Sequence, residues 1–370
     1  MISAVIVSYR SAALARHAIE TLRREAESAR LPLEVIAVVN SGDPAEGEAL
    51  RAHADVVLEP ARNLGFAGGL NAGARVARGE TLLLANPDLV FLPGSVAALH
   101  DAVQSNGLLA AGPAFWWDEA ATIFQPPADE PCPLDLCRRQ LARRDRATAD
   151  RLFRRELRRV TPAYRAAVAG ENLRASALRG ALVAVSRRTL DAVGPFDEEY
   201  ALYYEENDWQ HRLRRLGGAL VYVGGAHVVH KYNQSARTEP RAAGWFAASE
   251  RRYFTTHFGE AGVRAMADLA ATPDRVGALA PLSGPFPAEG VCGPSAIAIS
   301  PSPAFLPFLY QPLENTAEAW ELPTEIVRGI AGSRWYVRHF DVASGRVYAE
   351  GALPSGAADT LGALTNPSPA

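Results

Sequence analysis

Residues Tyr203 to Arg212 read Tyr-Tyr-Glu-Glu-Asn-Asp-Trp-Gln-His-Arg. Three carboxylates, Glu205, Glu206 and Asp208, stand within four positions, with Arg212, Arg214 and Arg215 just beyond. Crowding like charges raises the cost of ionising all three unless a cation or donor lies close. Acids in a first helical turn and arginines in the last suit the helix dipole, so one reading is a capped surface helix. The sharper reading makes one carboxylate a general base beside a metal site.

Other stretches bear on that choice. Asn86-Pro87-Asp88 follows the apolar run Thr81 to Ala85. A carboxylate at the carboxyl end of a central strand can offer oxygens to a hard divalent cation, although an aspartate in a turn is the plainer account. Between Arg62 and Gly73 the glycines at 65, 68, 69 and 73 would let backbone approach a ligand, and the helix start behind them favours phosphate. That stretch is neither a dinucleotide fingerprint nor a phosphate loop with its lysine. His227 and His230, three positions apart, point to different faces if extended, and His227 reads as structural.

The elements that must position these groups alternate. Apolar strand-like runs at Ala4 to Val7, Leu33 to Val39, Asp55 to Leu58, Thr81 to Ala85 and Leu182 to Val185 are separated by helical patterns, as at Leu14 to Leu22. A doubly wound α/β sheet is expected, with ligands beyond the carboxyl ends of its strands. Ser95 is a candidate helix N-cap. From 126 to 175 the chain changes character: Pro126-Pro127 and Pro131-Cys132-Pro133 interrupt it, and ten arginines between 138 and 159 ride on a narrow apolar stripe. This insertion reads as a solvated helical segment, or as one that lies on an anionic membrane or covers an anionic acceptor. A catalytic domain over 1–265, a linker over 266–294, a small mainly β appendage over 295–355 and a disordered tail over 356–370 are expected.

With 370 residues the chain is long enough for one large domain and a smaller one. A formal charge of -3 argues against a general nucleic-acid binder. Lys231 is the sole lysine, so an individual arginine carries little functional weight. Cys132, Cys137 and Cys292 are odd in number and lack CxxC spacing, which supports neither a disulfide framework nor a zinc knuckle. Without a basic leader or a spanning apolar run, a cytoplasmic protein is expected, with peripheral contact at the inner face of the cell membrane left open.

The order of these motifs is more specific than any one of them. Val5–Ser11, the strand ending at Asn40, Asn63–Gly73, Asn86-Pro87-Asp88, Arg179-Gly180-Ala181, Tyr204–Trp209 and His230 together resemble the family 2 inverting glycosyltransferases of GT-A fold, in the rhamnosyltransferase-like branch. The resemblance covers roughly residues 1–260. It implies a Rossmann-like mixed sheet flanked by helices, a nucleotide-sugar donor, a divalent cation (Mg or Mn) and a glycan or lipid-linked glycan acceptor. It assigns Asp88 and His230 to the metal, and Glu206 to the base with Glu205 and Asp208 in support. Val7, Ser8, Tyr9, Asn86, Gly180 and the turn Gly68-Gly69-Leu70-Asn71 fall to the nucleotide-sugar, and dTDP-rhamnose is the favoured donor. Trp116, Trp117 and Trp209 are candidate acceptor platforms, against ordinary core packing.

Two departures stand out. The family's Asp-Asn-x-Ser-x-Asp after the second strand appears here with Val39 before Asn40, leaving Asn40 or Asp43 to read the base. Its Glu-Asp pair is Glu205-Glu206 here, one methylene longer at the base. Competing expectations are a non-catalytic sugar-binding protein and, less favoured, a sugar nucleotidyltransferase. Self-association stays open.

Overall fold

The computed structural model describes residues 1–200, 202–230, 241–282, 291, 293–313, 320 and 334–353. An expected strand at 325–330, residues 283–290 of the linker and the tail 356–370 lie outside the described residues. The elements in chain order are β1 (Ile2–Ser8), α1 (Ala12–Ser28), β2 (Leu33–Val39), α2 (Pro44–Arg51), β3 (Val56–Leu58), α3 (Gly65–Val76), β4 (Thr81–Ala85), β5 (Leu89–Phe91), α4 (Ser95–Ala102) and β6 (Leu109–Trp116). They continue with β7 (Phe124–Gln125), α5 (Pro133–Ala142), α6 (Arg146–Ala169), β8 (Asn172–Arg174), β9 (Leu182–Ser186), α7 (Arg187–Val193), α8 (Glu205–Arg215) and β10 (Ala219–His230). Last come α9 (Ala242–Ala271), β11 (Ser295–Ser300), β12 (Leu309–Leu313), β13 (Tyr336–Asp341) and β14 (Val347–Ala352).

The chain divides into two compact units. The first comprises Met1–Glu119, Pro127–Pro133 and Ala163–Met266. Its sheet runs β3-β2-β1-β4-β9-β6-β10, with β5 and β8 also paired to β10. β1 is parallel to β2 and β4, whereas β9 is antiparallel to β4, so the sheet is mixed. β1 is buried on both faces: Ile2, Ala4 and Ile6 pack with Ile19, Leu22 and Leu99, while Val5 and Val7 pack with Leu70, Trp209 and Leu213. This double burial is why the strand reads as an unbroken apolar run rather than an alternation. Helices therefore cover both faces, and the carboxyl ends of β1, β2 and β4 are left to carry Tyr9, Asn40 and Asp88.

The second unit comprises Ala120–Pro126, Leu134–Pro162 and Ala267–Ala370. Its strands run β14-β13-β11-β12-β7, each pair antiparallel. Phe153 packs edge-on against Phe305 and Phe340, at 6.1 and 5.0 Å between ring centroids. Residues 134–162 of the basic stretch, expected to be an insertion of the first domain, thus pack with the C-terminal strands. Helix α9 breaks at Gly259, whose backbone (φ 55°, ψ -138°) is not helical, and resumes past the expected domain end at 265, to Ala271. Gly94, with φ +82°, takes the N-cap position of α4, so Ser95 is the first helical residue and makes no side-chain cap.

Candidate active site

One cleft of about 760 Å³ in the first unit gathers most of the chemistry-bearing residues. Asp88 sits in the short connection between β4 and β5, and His230 ends β10. β5 and β10 are antiparallel with Leu89 opposite His230, which brings the two side chains together. Asp88 Oδ1 lies 3.5 Å from His230 Nε2, and both residues are buried. Asp88 Oδ1 has no hydrogen-bond partner among the described residues. Burial holds the His230 imidazole below its ordinary value, against the pull of Asp88, so it is neutral at pH 7. A bare buried carboxylate oxygen beside a neutral imidazole suits a divalent cation. No group of three or more metal-ligating side chains occurs among the described residues, so phosphate oxygens and water would complete the shell.

The carboxylate cluster opens α8. Tyr203 and Tyr204 both hold left-handed backbone, with φ of 66° and 67°, which turns the chain sharply so that Glu205 and Glu206 start the helix at the cleft. For two tyrosines in succession this conformation is costly and must be imposed by surrounding contacts. Tyr204 supplies them. Its ring packs against Phe246, Tyr253 and Phe254, and its hydroxyl donates to Glu250 Oε1 at 2.9 Å.

Glu206 fits against Gly180, where an added Cβ would stand 2.7 Å from Glu206 Cγ. Part of the Glu206 side chain reaches solvent, but its Oε2 is shielded and lacks a hydrogen-bond partner among the described residues. Burial raises the Glu206 pKa, while amides at the helix start and the Asn207 side chain pull it partly back. Burial and the charge of Glu206 push Glu205 well above the ordinary carboxylate range. Both groups thus bind a proton more tightly than an ordinary carboxylate, which makes the ionised form a stronger base.

Asp208 is not in the cleft. It accepts from Arg212 Nε at 2.9 Å and lies 2.8 Å from His257 Nε2, tying α8 to α9. These contacts hold its pKa below the ordinary value despite burial.

Val7, Tyr9, Asn40, Asn86 and Gly180 line the same cleft as the two acid groups, whereas Ser8, Asp43, Gly68, Gly69 and Asn71 do not. Each of the latter has a packing reason. Ser8 Oγ donates to the buried Glu46, whose carboxylate also takes the amides of Arg10 and Ser11 and so fixes the loop carrying Tyr9. Asp43 caps α2 by accepting from the Ala45 amide. Gly68-Gly69-Leu70-Asn71 is not a turn but lies inside α3, where a Cβ on Gly69 would strike Val7 Cγ1 at 2.8 Å. The glycines let that helix lie close on the sheet. Asn71 Nδ2 donates to the Phe196 carbonyl and to Glu198 Oε1, both at 2.9 Å, and reaches the cleft only through Glu198. Asn40 spends its side chain on the Leu64 amide and the Gly65 carbonyl, shaping the loop at the start of α3.

The three candidate acceptor tryptophans are corrected by burial. Trp116, Trp117 and Trp209 are 2%, 4% and 1% exposed, and Trp209 stacks on Phe196 while donating to the Gly194 carbonyl. The aromatic side chains that do border the cleft include Tyr203, Trp245 and Phe246, the last 39% exposed. Sequence reasoning missed the α9 pair because a Trp-Phe step inside a helix looks like core. His227 contacts the Ala167 carbonyl at 2.9 Å, away from its neighbour at 230.

Residues 3–162 match the family model described as Glycosyl transferase family 2. Two curated relatives, N-acetylglucosaminyl-diphospho-decaprenol L-rhamnosyltransferases of Mycobacterium tuberculosis (strains CDC 1551 / Oshkosh and ATCC 25618 / H37Rv), are each 29% identical over 168 residues. That match covers 44% of this chain and 50% of each relative, so the chain spans about half the length of the curated relatives it matches. Similar solved structures include the mannosyltransferase PcManGT from Pyrobaculum calidifontis in complex with GDP-Man and Mn2+, with a TM-score of 0.44, 15% identity, and coverage of 73% of this chain and 74% of that one. GalNAc-T7 with UDP, GalNAc and Mn2+ has a TM-score of 0.46 and 14% identity, covering 74% of this chain and 55% of that one. The family match ends before α8 and β10, so the placement of Glu206 and His230 stands on geometry.

Proposed function

We propose that the protein, whose residues 3–162 match the model of glycosyl transferase family 2, is an inverting glycosyltransferase that moves a sugar from a nucleoside diphosphate onto an acceptor hydroxyl. One observation carries the reading: the shielded Glu206 carboxyl, seated against Gly180, shares a cleft with the Asp88–His230 pair.

Asp88 and His230 would hold a divalent cation, Mg or Mn, which when bound neutralises charge on a departing diphosphate. Glu206 takes the proton of the acceptor hydroxyl as that oxygen bonds to the anomeric carbon. The bond from that carbon to the donor phosphate breaks, and its electron pair leaves with the nucleoside diphosphate. A single displacement with one base inverts the centre. Glu205, which burial and the Glu206 charge push well above the ordinary carboxylate range, supports the base by keeping its own proton and so leaving Glu206 as the charged member of the pair. Asp208 positions the base by anchoring α8.

Among donors the relatives' rhamnosyltransferase activity favours dTDP-rhamnose over UDP- or GDP-sugars. The acceptor in the relatives' names favours a lipid-linked N-acetylglucosaminyl diphosphate. Its sugar would rest on Tyr203, Trp245 and Phe246, which offer apolar ring faces at the cleft.

A thermal-shift screen over nucleotide-sugars with Mn or Mg, followed by turnover with a short-prenyl N-acetylglucosaminyl diphosphate, tests this reading. The true donor stabilises the protein by mass action and is consumed. Stabilisation without turnover would point to a non-catalytic binding protein, and no stabilisation by any donor would overturn the proposal. Asp88→Ala and His230→Ala should each weaken metal-dependent donor binding by about tenfold or more in calorimetry.

A further inference from the structure

Residues 134–162 carry ten arginines against four acids, a net of +6, in a chain whose formal charge is -3. The remainder of the chain therefore carries -9, so the excess of positive charge sits in residues 134–162. The buried side of this segment is apolar: Leu136, Ala142, Ala149, Phe153, Leu157 and Val160. Some of the arginines serve the fold. Arg143 donates to the Leu269 carbonyl, Arg146 donates to the Pro303 carbonyl at 2.6 Å, and Arg139 and Arg159 pair with Asp135 and Glu156.

Four others face outward. Arg151, Arg154, Arg155 and Arg158 are exposed and recur at i, i+3, i+4 and i+7, so they form one stripe along α6. Arg154, Arg155 and Arg158 have no carboxylate partner among the described residues. Like charges at helical spacing destabilise a helix, and the nearby acids Asp150 and Glu156 are spent on Arg338 and Arg159 instead. On α5, Leu134 and Leu141 stand one heptad apart at 57% and 40% exposure. A simple solvated face would explain the arginines but not the two outward leucines.

We propose that the arginine stripe of α6, with the outward leucines of α5, adsorbs on an anionic phospholipid bilayer. Guanidinium groups pair with phosphate in planar, bidentate fashion, and short apolar side chains seat in the headgroup layer. The contact would be peripheral, because no helix among the described residues is long and apolar enough to cross a membrane. The argument is independent of glycosyl transfer, so either reading can fail alone.

Co-sedimentation of the full chain with phosphatidylcholine vesicles, with and without phosphatidylglycerol, tests it. Binding is expected only to the phosphatidylglycerol vesicles, weakening as salt rises. Replacing Arg151, Arg154, Arg155 and Arg158 by glutamine should lower the partition coefficient about a hundredfold or more. The double variant Arg155→Gln with Arg158→Gln, both at exposed positions, gives a smaller loss should the quadruple variant not fold. Leu134→Ser with Leu141→Ser should weaken binding even at low salt. Equal binding to both vesicle types, or undiminished binding by a folded arginine variant, would overturn the proposal. So would retention on a soluble polyanion with no vesicle binding.

Discussion

Each unit buries a cluster of charge, and the two clusters are built in opposite ways. In the second unit the fully buried Arg338 donates to Glu350 Oε2 at 2.6 Å and Asp150 Oδ1 at 2.8 Å, and its guanidinium lies 4.8 and 4.2 Å from the Phe153 and Phe305 rings. Opposite charges and ring faces meet there around one cation. In the first unit Glu205 and Glu206 are like charges, packed side by side at a strained helix start, with oxygens that no described group satisfies. Paired charge of the first kind serves the fold once it is in place. Unpaired like charge costs stability and persists where a shifted proton affinity is useful.

The largest expected effect tests the uncompensated cluster. Glu206→Gln should lower kcat for transfer by about 10²–10⁴-fold with donor affinity little changed, measured in steady state and by calorimetry. A fully active variant would remove Glu206 from the chemistry. Arg338→Met probes the compensated cluster and should destabilise the protein by about 3 kcal/mol in denaturant unfolding, because Asp150 and Glu350 are left without their cation but keep some solvent. Turnover per folded molecule should not change. If both substitutions instead altered stability and turnover alike, the contrast would collapse.

Acidity sharpens the contrast next. Burial raises the Glu205 and Glu206 pKa values, and the charge of Glu206 raises that of Glu205 further, so the folded state keeps protons that the unfolded chain has released. The stability associated with those protons is present at low pH and is lost as pH rises from the ordinary carboxylate range through the folded pKa values. Glu205→Gln should therefore gain in melting temperature over the wild type as pH rises from about 4 to about 8. The opposite trend would mean that the pair is ionised and compensated. The smallest effect belongs to the cleft border: Trp245→Ala should raise the acceptor KM by about 3–10-fold, and Trp245→Phe should restore most of it.

Much of the first unit was legible in the chain. β2 and β4 run as expected from Leu33 to Val39 and from Thr81 to Ala85, because strands buried on both faces must be apolar throughout. Asp88 and His230 were legible by order along the chain, and strand pairing explains how residues so far apart meet. Burial without periodic signal was harder. β6 carries Gly112 and Pro113 and does not look like a strand, yet it pairs with β9 and β10. The α3 glycines look like a turn because their packing role against Val5 and Val7 exists only once the helix lies on the sheet. The tryptophans look like sugar platforms by type, and only burial separates Trp209 from Trp245. The two left-handed tyrosines gave no local sign, since tertiary contacts from α9 impose that conformation.

Gly180 has a consequence for how this activity can be lost. The space that a single methyl would fill is the space the Glu206 side chain occupies. An alanine there would leave every ionisable group in the cleft intact and still displace Glu206. A descendant could thus fall silent while its acidic and histidine residues all still matched those of active relatives. In sorting working copies from decayed ones, the smallest residue in the cleft would be more informative than the charged ones around it.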